Sequence, residues 1–185
     1  MTKIIGIAGR KGHGKDTAAQ ALLDEGYVNV KFAGALKVMV RAFLAYVGVS
    51  PDTIERMIEG DLKEVPNEHF GGRTTRYVLQ TLGTEWGREM VFDRIWVNAF
   101  SSRAKRFDKV ACTDMRFPNE VDEVKAQGGT TVRVVRPNAP RTAGSDHPSE
   151  ALIDTLHVDH VIANDEGIEE LHRRIAAIAY WRDHA

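Results

Sequence analysis

One cysteine, Cys112, is all the chain carries, so no disulfide can form within it, and this usage fits a reducing compartment. An excess of charge of one sign is missing as well: 25 Lys and Arg stand against 26 Asp and Glu, a formal net charge of -1. Such a balance supplies no global field to hold a polyanion such as DNA, so any phosphate-binding cations have to be gathered at a site. Long hydrophobic runs are absent too. The longest, Val38 to Val49, is interrupted by Arg41 and falls well short of the ~20 residues that cross a bilayer. Ahead of the first glycine-rich loop stand Met1-Thr2-Lys3 and then only Ile4–Ala8, too little for a signal-peptide core. No internal repeat or low-complexity tract interrupts the chain. These absences argue against disulfide-stapled, membrane-spanning and nucleic-acid-coating classes, and the expectation is a soluble, intracellular protein without a nucleic-acid or membrane partner.

What is present suits a single domain: 185 residues, 43% apolar and 28% charged. Short apolar runs alternate with longer helical patterns, the signature of a parallel α/β sheet. Strands are expected over Lys3–Ala8, Tyr27–Phe32, Lys109–Thr113, Thr130–Val135 and His160–Ala163, and helices over Lys15–Asp24, Ala35–Val47, Pro118–Gln127 and Gly167–Trp181. Ile168, Leu171, Ile175 and Ile178 repeat at helical spacing in the last of these. Right-handed crossovers would bring all the strand C-termini to one edge, where open α/β sheets bind ligands. Two segments stand apart: a polar, Arg-rich insertion of helical character over about 51–106, and a loop by composition over about 137–150. The core is then 1–50 with 107–185.

Gly9-Arg10-Lys11-Gly12-His13-Gly14-Lys15-Asp16-Thr17 follows the first strand and opens the first helix. Two glycines five apart followed by lysine, in that strand–helix context, is the Walker A pattern of a triphosphate-binding loop. Glycines let the backbone turn tightly enough for several N–H groups to point inward, and the helix start adds its partial positive charge. Gly12, His13 and Gly14 contribute main-chain amides, and Lys15 a point charge for the terminal phosphates. Asp16 stands where Ser or Thr usually ligates Mg²⁺, with the hydroxyl one residue later at Thr17. A carboxylate beside a triphosphate needs a cation between them, so Asp16 and Thr17 are candidate Mg²⁺ ligands. A plain first-turn or capping Asp is the alternative.

Such a loop serves kinases, hydrolases and switches alike. Hydrolases commonly carry a water-activating carboxylate after the Asp that ends the second core strand, whereas here Asp114 is followed by Met115 and Arg116. A kinase excludes water and surrounds phosphate with positive charge. Arg116, Arg136 and Arg141 lie past strand ends or in the long loop, and Arg73, Arg76 and Arg88 lie in the insertion. A kinase is favoured. His157 and His160 have no third ligand beside them and make a poor zinc site.

Further stretches carry a family resemblance. Phe32-Ala33-Gly34-Ala35-Leu36-Lys37, Leu82-Gly83-Thr84-Glu85-Trp86-Gly87-Arg88, Thr113-Asp114-Met115-Arg116-Phe117-Pro118-Asn119-Glu120, His147-Pro148-Ser149-Glu150 and Ile162-Ala163-Asn164-Asp165 join the Gly-Lys-Asp-Thr loop. Together they resemble the phage-type deoxynucleoside monophosphate kinases, within the P-loop nucleoside monophosphate kinase superfamily. The resemblance implies a three-layer αβα fold on a mostly parallel five-stranded sheet, with an inserted acceptor-binding region and a lid at 137–150. It implies phosphoryl transfer from ATP with Mg²⁺ to a deoxynucleoside monophosphate, in the cytoplasm (the host's, if phage-encoded), by a chain that could pair as a homodimer. Lys37, Arg73, Arg76 and Arg88 become candidate acceptor-phosphate ligands, Trp86 a base-stacking residue, and Gln80 and Glu85 base-edge partners. Trp96, between Ile95 and Val97, reads better as core. Arg136 and Arg141 would neutralise the transferred group, with Glu150 pairing an arginine. Asn164 and Asp165 would flank the adenine or cap a helix, and Asp114 would orient Mg²⁺ through water or pair with Arg116. Phosphomevalonate- or dephospho-coenzyme A-type kinases and a nucleic-acid-dependent P-loop ATPase are the competing readings.

Overall fold

Ile4, Ile5, Ile7 and Ala8 are wholly buried, and the strand they form, β1 (Lys3–Ala8), runs through the middle of the main sheet. A strand covered on both faces reads as a continuous apolar run, as this one does. The chain continues through α1 (Lys15–Asp24), β2 (Val28–Asn29), α2 (Gly34–Tyr46), α3 (Pro51–Ile58), the short strands β3 (Pro66–Asn67) and β4 (Arg73–Thr74), and α4 (Thr75–Thr81). A π-helical segment (Leu82–Val91) and α5 (Ile95–Ala104) lead to β5 (Lys109–Met115), α6 (Pro118–Ala126), β6 (Thr130–Val135), β7 (His160–Ala163) and α7 (Ile168–His184). The computed structural model describes residues 2–137, 139 and 152–184. They fall into two compact units, Met1–Phe32 with Ser101–Ala185, and Ala33–Phe100.

The first unit is the parallel five-stranded sheet, ordered β2-β5-β1-β6-β7. β1 pairs with β5 from Lys3↔Lys109 and with β6 from Ile5↔Thr130. Side chains alternate across the strand. Ile5 and Ile7 enter a core with Ala18 and Leu22 of α1 and Leu171 and Ile175 of α7. Gly6 lies against the opposite layer, where a Cβ would stand 2.6 Å from Met115 Sδ and 3.3 Å from Val124 of α6. Helices thus cover both faces, giving the three-layer αβα arrangement.

β2 is shorter than the strand expected over Tyr27–Phe32. Val30 N–H still bonds the Ala111 carbonyl at 2.9 Å, but the Phe32 N–H is taken by Asp114 Oδ1 at 2.9 Å, which ends the ladder. No helix of the described residues is long and apolar enough to cross a membrane.

The second unit begins at Ala33, not near residue 51. Leu36, Val40 and Leu44 of α2 are buried with Ile54, Met57 and Ile58 of α3, Leu79 of α4 and Trp96, so α2 belongs with the insertion by the apolar surface it buries. Ser50 caps α3, accepting the Thr53 N–H at 3.3 Å, with Pro51 at the first helical position. Pro66 and the Gly71-Gly72 pair do not merely interrupt helices. They shape a small antiparallel hairpin, β3 with β4, whose Thr74 caps α4 through the Tyr77 N–H at 3.1 Å. Trp96, 4% exposed, donates its Nε1–H to the Gly83 carbonyl at 2.8 Å and rests on Gly87, pinning the π-helical segment.

Candidate active site

Between Ala8 and Lys15 the main chain turns on glycines, with φ of 83° at Gly12 and 94° at Gly14, values L side chains rarely adopt. Gly14 is doubly required, since a Cβ there would stand 2.4 Å from Asn164 Nδ2. It also occupies the cap position of α1, where no side chain caps the helix, and a helix start of this kind suits an anion. Lys15 Nζ reaches back across the loop to the Arg10 carbonyl at 2.9 Å.

The loop opens on a cavity of about 810 Å³ lined by Gly12, Gly14, Lys15, Asp16, Thr17, Arg136, Pro137, Asn164, Asp165, Gly167 and Ile168. Seven of the expected nucleotide-side residues therefore meet here: Gly12, Gly14, Lys15, Asp16, Thr17, Asn164 and Asp165, and Arg136 joins them. Asp16 is exposed in the first turn of α1 and does not take the cap position. Asn164 also serves the loop itself. Its Nδ2 donates to the His13 carbonyl at 3.1 Å while its own N–H holds the Val135 carbonyl at 2.8 Å. Asp165 pairs with Arg174 at 3.4 Å.

His13 holds a role that its sequence position did not announce. Its ring Nδ1 accepts the Arg136 N–H at 3.3 Å. Burial pulls the imidazole below its ordinary pKa; a hydrogen bond to the Val134 main chain opposes this, and the nearby Lys15 and Arg10 charges add to it. A lowered pKa favours the neutral ring, the form in which Nδ1 can accept. Arg10 forms an ion pair with Asp154, and Arg133 Nη1 donates to the Ile153 carbonyl at 3.2 Å. Neither contact has a signal in the linear motif, because each joins residues far apart in the chain.

At the end of β5, Asp114 Oδ1 accepts from the Phe32 N–H and, at 3.2 Å, from the Cys112 thiol, whose pKa burial pushes well up. Arg116 and Phe117 direct their N–H groups to Glu120 Oε2 at 2.7 and 3.2 Å, so the Glu120 side chain caps the start of α6. Glu120 is 3% exposed, and nothing in the linear sequence beyond its place in the Thr113–Glu120 stretch marks it out. Arg141 and Glu150, and nearly all of 137–150, lie outside the described residues.

The acceptor-side candidates all belong to the second unit. Lys37 Nζ is held by Glu59 at 2.7 Å and Arg76 by Glu64. The Arg73 guanidinium lies 4.8 Å from the Tyr77 ring centre. Arg88 is buried and donates to the Asp93 carbonyl at 3.1 Å. Trp86 is half-buried against the unit's core, 6.2 Å from Trp96, which is core as its neighbours suggested. Gln80 is half-buried and Glu85 exposed. The acidic partners Glu59 and Glu64 went unrecognised in the sequence, since ion pairs 22 and 12 residues apart follow no local spacing.

A parallel sheet with a glycine loop after its central strand, a lysine at the first helical position and an arginine from a neighbouring strand end define a P-loop kinase. A Thermus thermophilus protein, TT1252, shares the fold with a TM-score of 0.51, at 20% identity over 97% of each chain. The family model for deoxynucleotide monophosphate kinase matches residues 40–175, and the chain belongs to that family. A protein of Acanthamoeba polyphaga mimivirus is 30% identical over 187 residues, 93% of either chain. The deoxynucleoside-5'-monophosphate kinase of Escherichia phage T5 is 35% identical over 104 residues, 52% of this chain and 42% of that one. The deoxynucleotide monophosphate kinase of Enterobacteria phage T4 is 27% identical over 166 residues, 80% of this chain and 68% of its own.

Proposed function

We propose that this protein transfers the γ-phosphoryl group of ATP, with Mg²⁺, to a deoxynucleoside monophosphate, giving the diphosphate and ADP in the cytoplasm. The observation that carries the reading is the cavity on which the glycine loop, Lys15, Asp16 and Arg136 converge.

The loop amides and the start of α1 suit a triphosphate tail, and Lys15 can leave the Arg10 carbonyl for its terminal oxygens. The donor set suits Mg²⁺: an exposed carboxylate at Asp16 and a hydroxyl at Thr17 line the cavity. Among the described residues no group of three or more His, Cys, Asp or Glu could cage a metal. Mg²⁺ keeps waters and phosphate oxygens and takes only one or two protein ligands. Asp114 is a candidate water-mediated partner, and Asn164 and Asp165, which line the same cavity, are candidates for the adenine side. Bound there, the ion would neutralise charge between phosphates.

The chain's own part is positioning. Arg136, with Arg116 and Arg141, spreads the charge that develops on the transferred group, and Glu150 fixes an arginine. Lys37, Arg73, Arg76 and Arg88 bind the acceptor phosphate, Trp86 stacks on its base, and Gln80 and Glu85 read the base edge. No general base is required, because an acceptor phosphate is already ionised near neutral pH.

Steady-state kinetics with ATP-Mg²⁺ against dTMP, dGMP, dCMP, dAMP and their ribose counterparts test the reading. Turnover with deoxynucleotides is expected, reduced about 10²–10³-fold in K15A, the scale on which such charge stabilisation acts. Turnover only with phosphomevalonate or dephospho-coenzyme A, or hydrolysis dependent on nucleic acid, would replace it with another function.

A further inference from the structure

His13 sits within the phosphate loop, yet its side chain is not among those lining the nucleotide cavity. The ring is tied instead to structure distant in sequence. Its main-chain N–H closes the loop turn on the Arg10 carbonyl at 3.2 Å, and its carbonyl receives Asn164 Nδ2 from the end of β7 at 3.1 Å. That fixes the backbone. With the backbone fixed, Nδ1 is presented to the end of β6, where it accepts the Arg136 N–H at 3.3 Å. Arg136 is the first residue beyond β6: the Asn164 N–H holds the Val135 carbonyl at 2.8 Å, and the N–H of that same peptide unit, Arg136's, turns to the His13 ring. Its side chain is one of two cations that line the cavity among the described residues.

We propose that His13 is a positioning residue for phosphoryl transfer: its ring anchors the main chain at Arg136 so that the arginine enters the phosphate cavity at a set place. The inference rests on the kinase reading and adds to it a residue that acts through another. A neutral imidazole can accept this bond, whereas a protonated ring has only donors to offer. The charged groups around the ring are Lys15 and Arg10 on the loop and Asp154 on the turn after residue 151, and the Val134 main chain faces it from β6. Burial and the two cations outweigh the Val134 hydrogen bond and Asp154, so the imidazole pKa lies below its ordinary value.

A double-mutant cycle between His13 and Arg136 separates this role from a general one in folding the loop. The variants H13A, R136A and H13A/R136A, with H13N alongside, are compared with the parent protein in kcat and KM for ATP between pH 5 and 8. Thermal melting confirms that each is folded. If H13A is unfolded, H13F, which keeps the ring volume without the acceptor, takes its place. H13A is expected to lower kcat about 3- to 10-fold, the scale of one hydrogen bond, and to change it less than about twofold once Arg136 is gone. H13N, whose Oδ1 can accept the same N–H, should recover most of the loss. It should also lack an acid limb that the parent shows below the usual histidine pKa of about 6.5. The acceptor's own phosphate ionisation is common to both proteins and cancels in the comparison. Equal penalties for H13A in the two backgrounds, or the same acid limb in H13N, would overturn the inference. If the parent transfers phosphoryl to no nucleoside monophosphate, the kinase reading fails by itself. The same cycle read as ADP-Mg²⁺ affinity by calorimetry then still decides whether His13 places Arg136.

Discussion

Gly83 and Gly87 lie about one turn apart in the π-helical segment, and the same substitution at each should move stability in opposite directions. Alanine in place of glycine within a helix ordinarily stabilises by about 1 kcal/mol, because glycine loses more backbone freedom on folding. At Gly83 a Cβ would meet only Leu36 Cδ2 at 3.7 Å, an ordinary contact. G83A should therefore stabilise by roughly 0.5–1 kcal/mol. At Gly87 the added Cβ would stand 2.6 Å from both Cζ2 and Nε1 of Trp96 and 2.7 Å from the Leu82 carbonyl oxygen. The indole cannot swing aside freely, being 4% exposed and bonded to the Gly83 carbonyl at 2.8 Å. Overpacking of this kind costs about 1–3 kcal/mol and loss of the indole bond about 1 kcal/mol more. Together they exceed the helical gain, leaving G87A destabilised by about 1–3 kcal/mol. Two of the three tryptophans, Trp86 and Trp96, report on this unit, so urea titration followed by fluorescence alongside circular dichroism is the assay. A G87A protein as stable as its parent, or a parallel fall in G83A, would refute the packing argument.

D16N tests the metal reading. It should raise the Mg²⁺ concentration needed for half-maximal turnover about tenfold or more, whereas an Asp that only complements the helix start would leave that requirement unchanged. E120A strips a buried carboxylate from the Arg116 and Phe117 N–H groups and should cost about 2–3 kcal/mol in urea-measured stability, with turnover falling further if Arg116 is displaced. Asp159 gives a pH prediction. Burial pushes its carboxyl up, but hydrogen bonds from Thr131 and the Lys125 ammonium outweigh that and leave the pKa lowered. A lowered folded pKa means the stability it contributes is present above the unfolded value near 4 and is lost as pH falls through the folded one. Denaturation between pH 2 and 5 should show that slope in the parent and a shallower one in D159N.

Much of the sheet was legible because its strands are short, β-branched-rich stretches bounded by turn residues: Lys3–Ala8, Thr130–Val135 and His160–Ala163 are each a strand over those residues. The boundary of the second unit was not legible. Nothing local in Gly34–Tyr46 distinguishes a crossover helix of the sheet from a helix that packs on Ile54, Met57 and Trp96. Nor did Pro66 and Gly71-Gly72 announce a hairpin, since the same residues punctuate any loop.

The phosphate loop belongs to the part of this protein that the sequence determines by itself. Glycine spacing, the lysine and the following helix act within nine residues, and conformational permissiveness and helix polarity are local properties. Tertiary structure decided what surrounds that loop. It brought Arg136 and Asn164 to the loop from 120 or more residues away in the chain, and turned His13 from a loop residue into an anchor. It also seated Lys37 on Glu59 and Arg76 on Glu64. Side-chain contacts across such separations depend on sheet order and helix packing, and no local spacing encodes them.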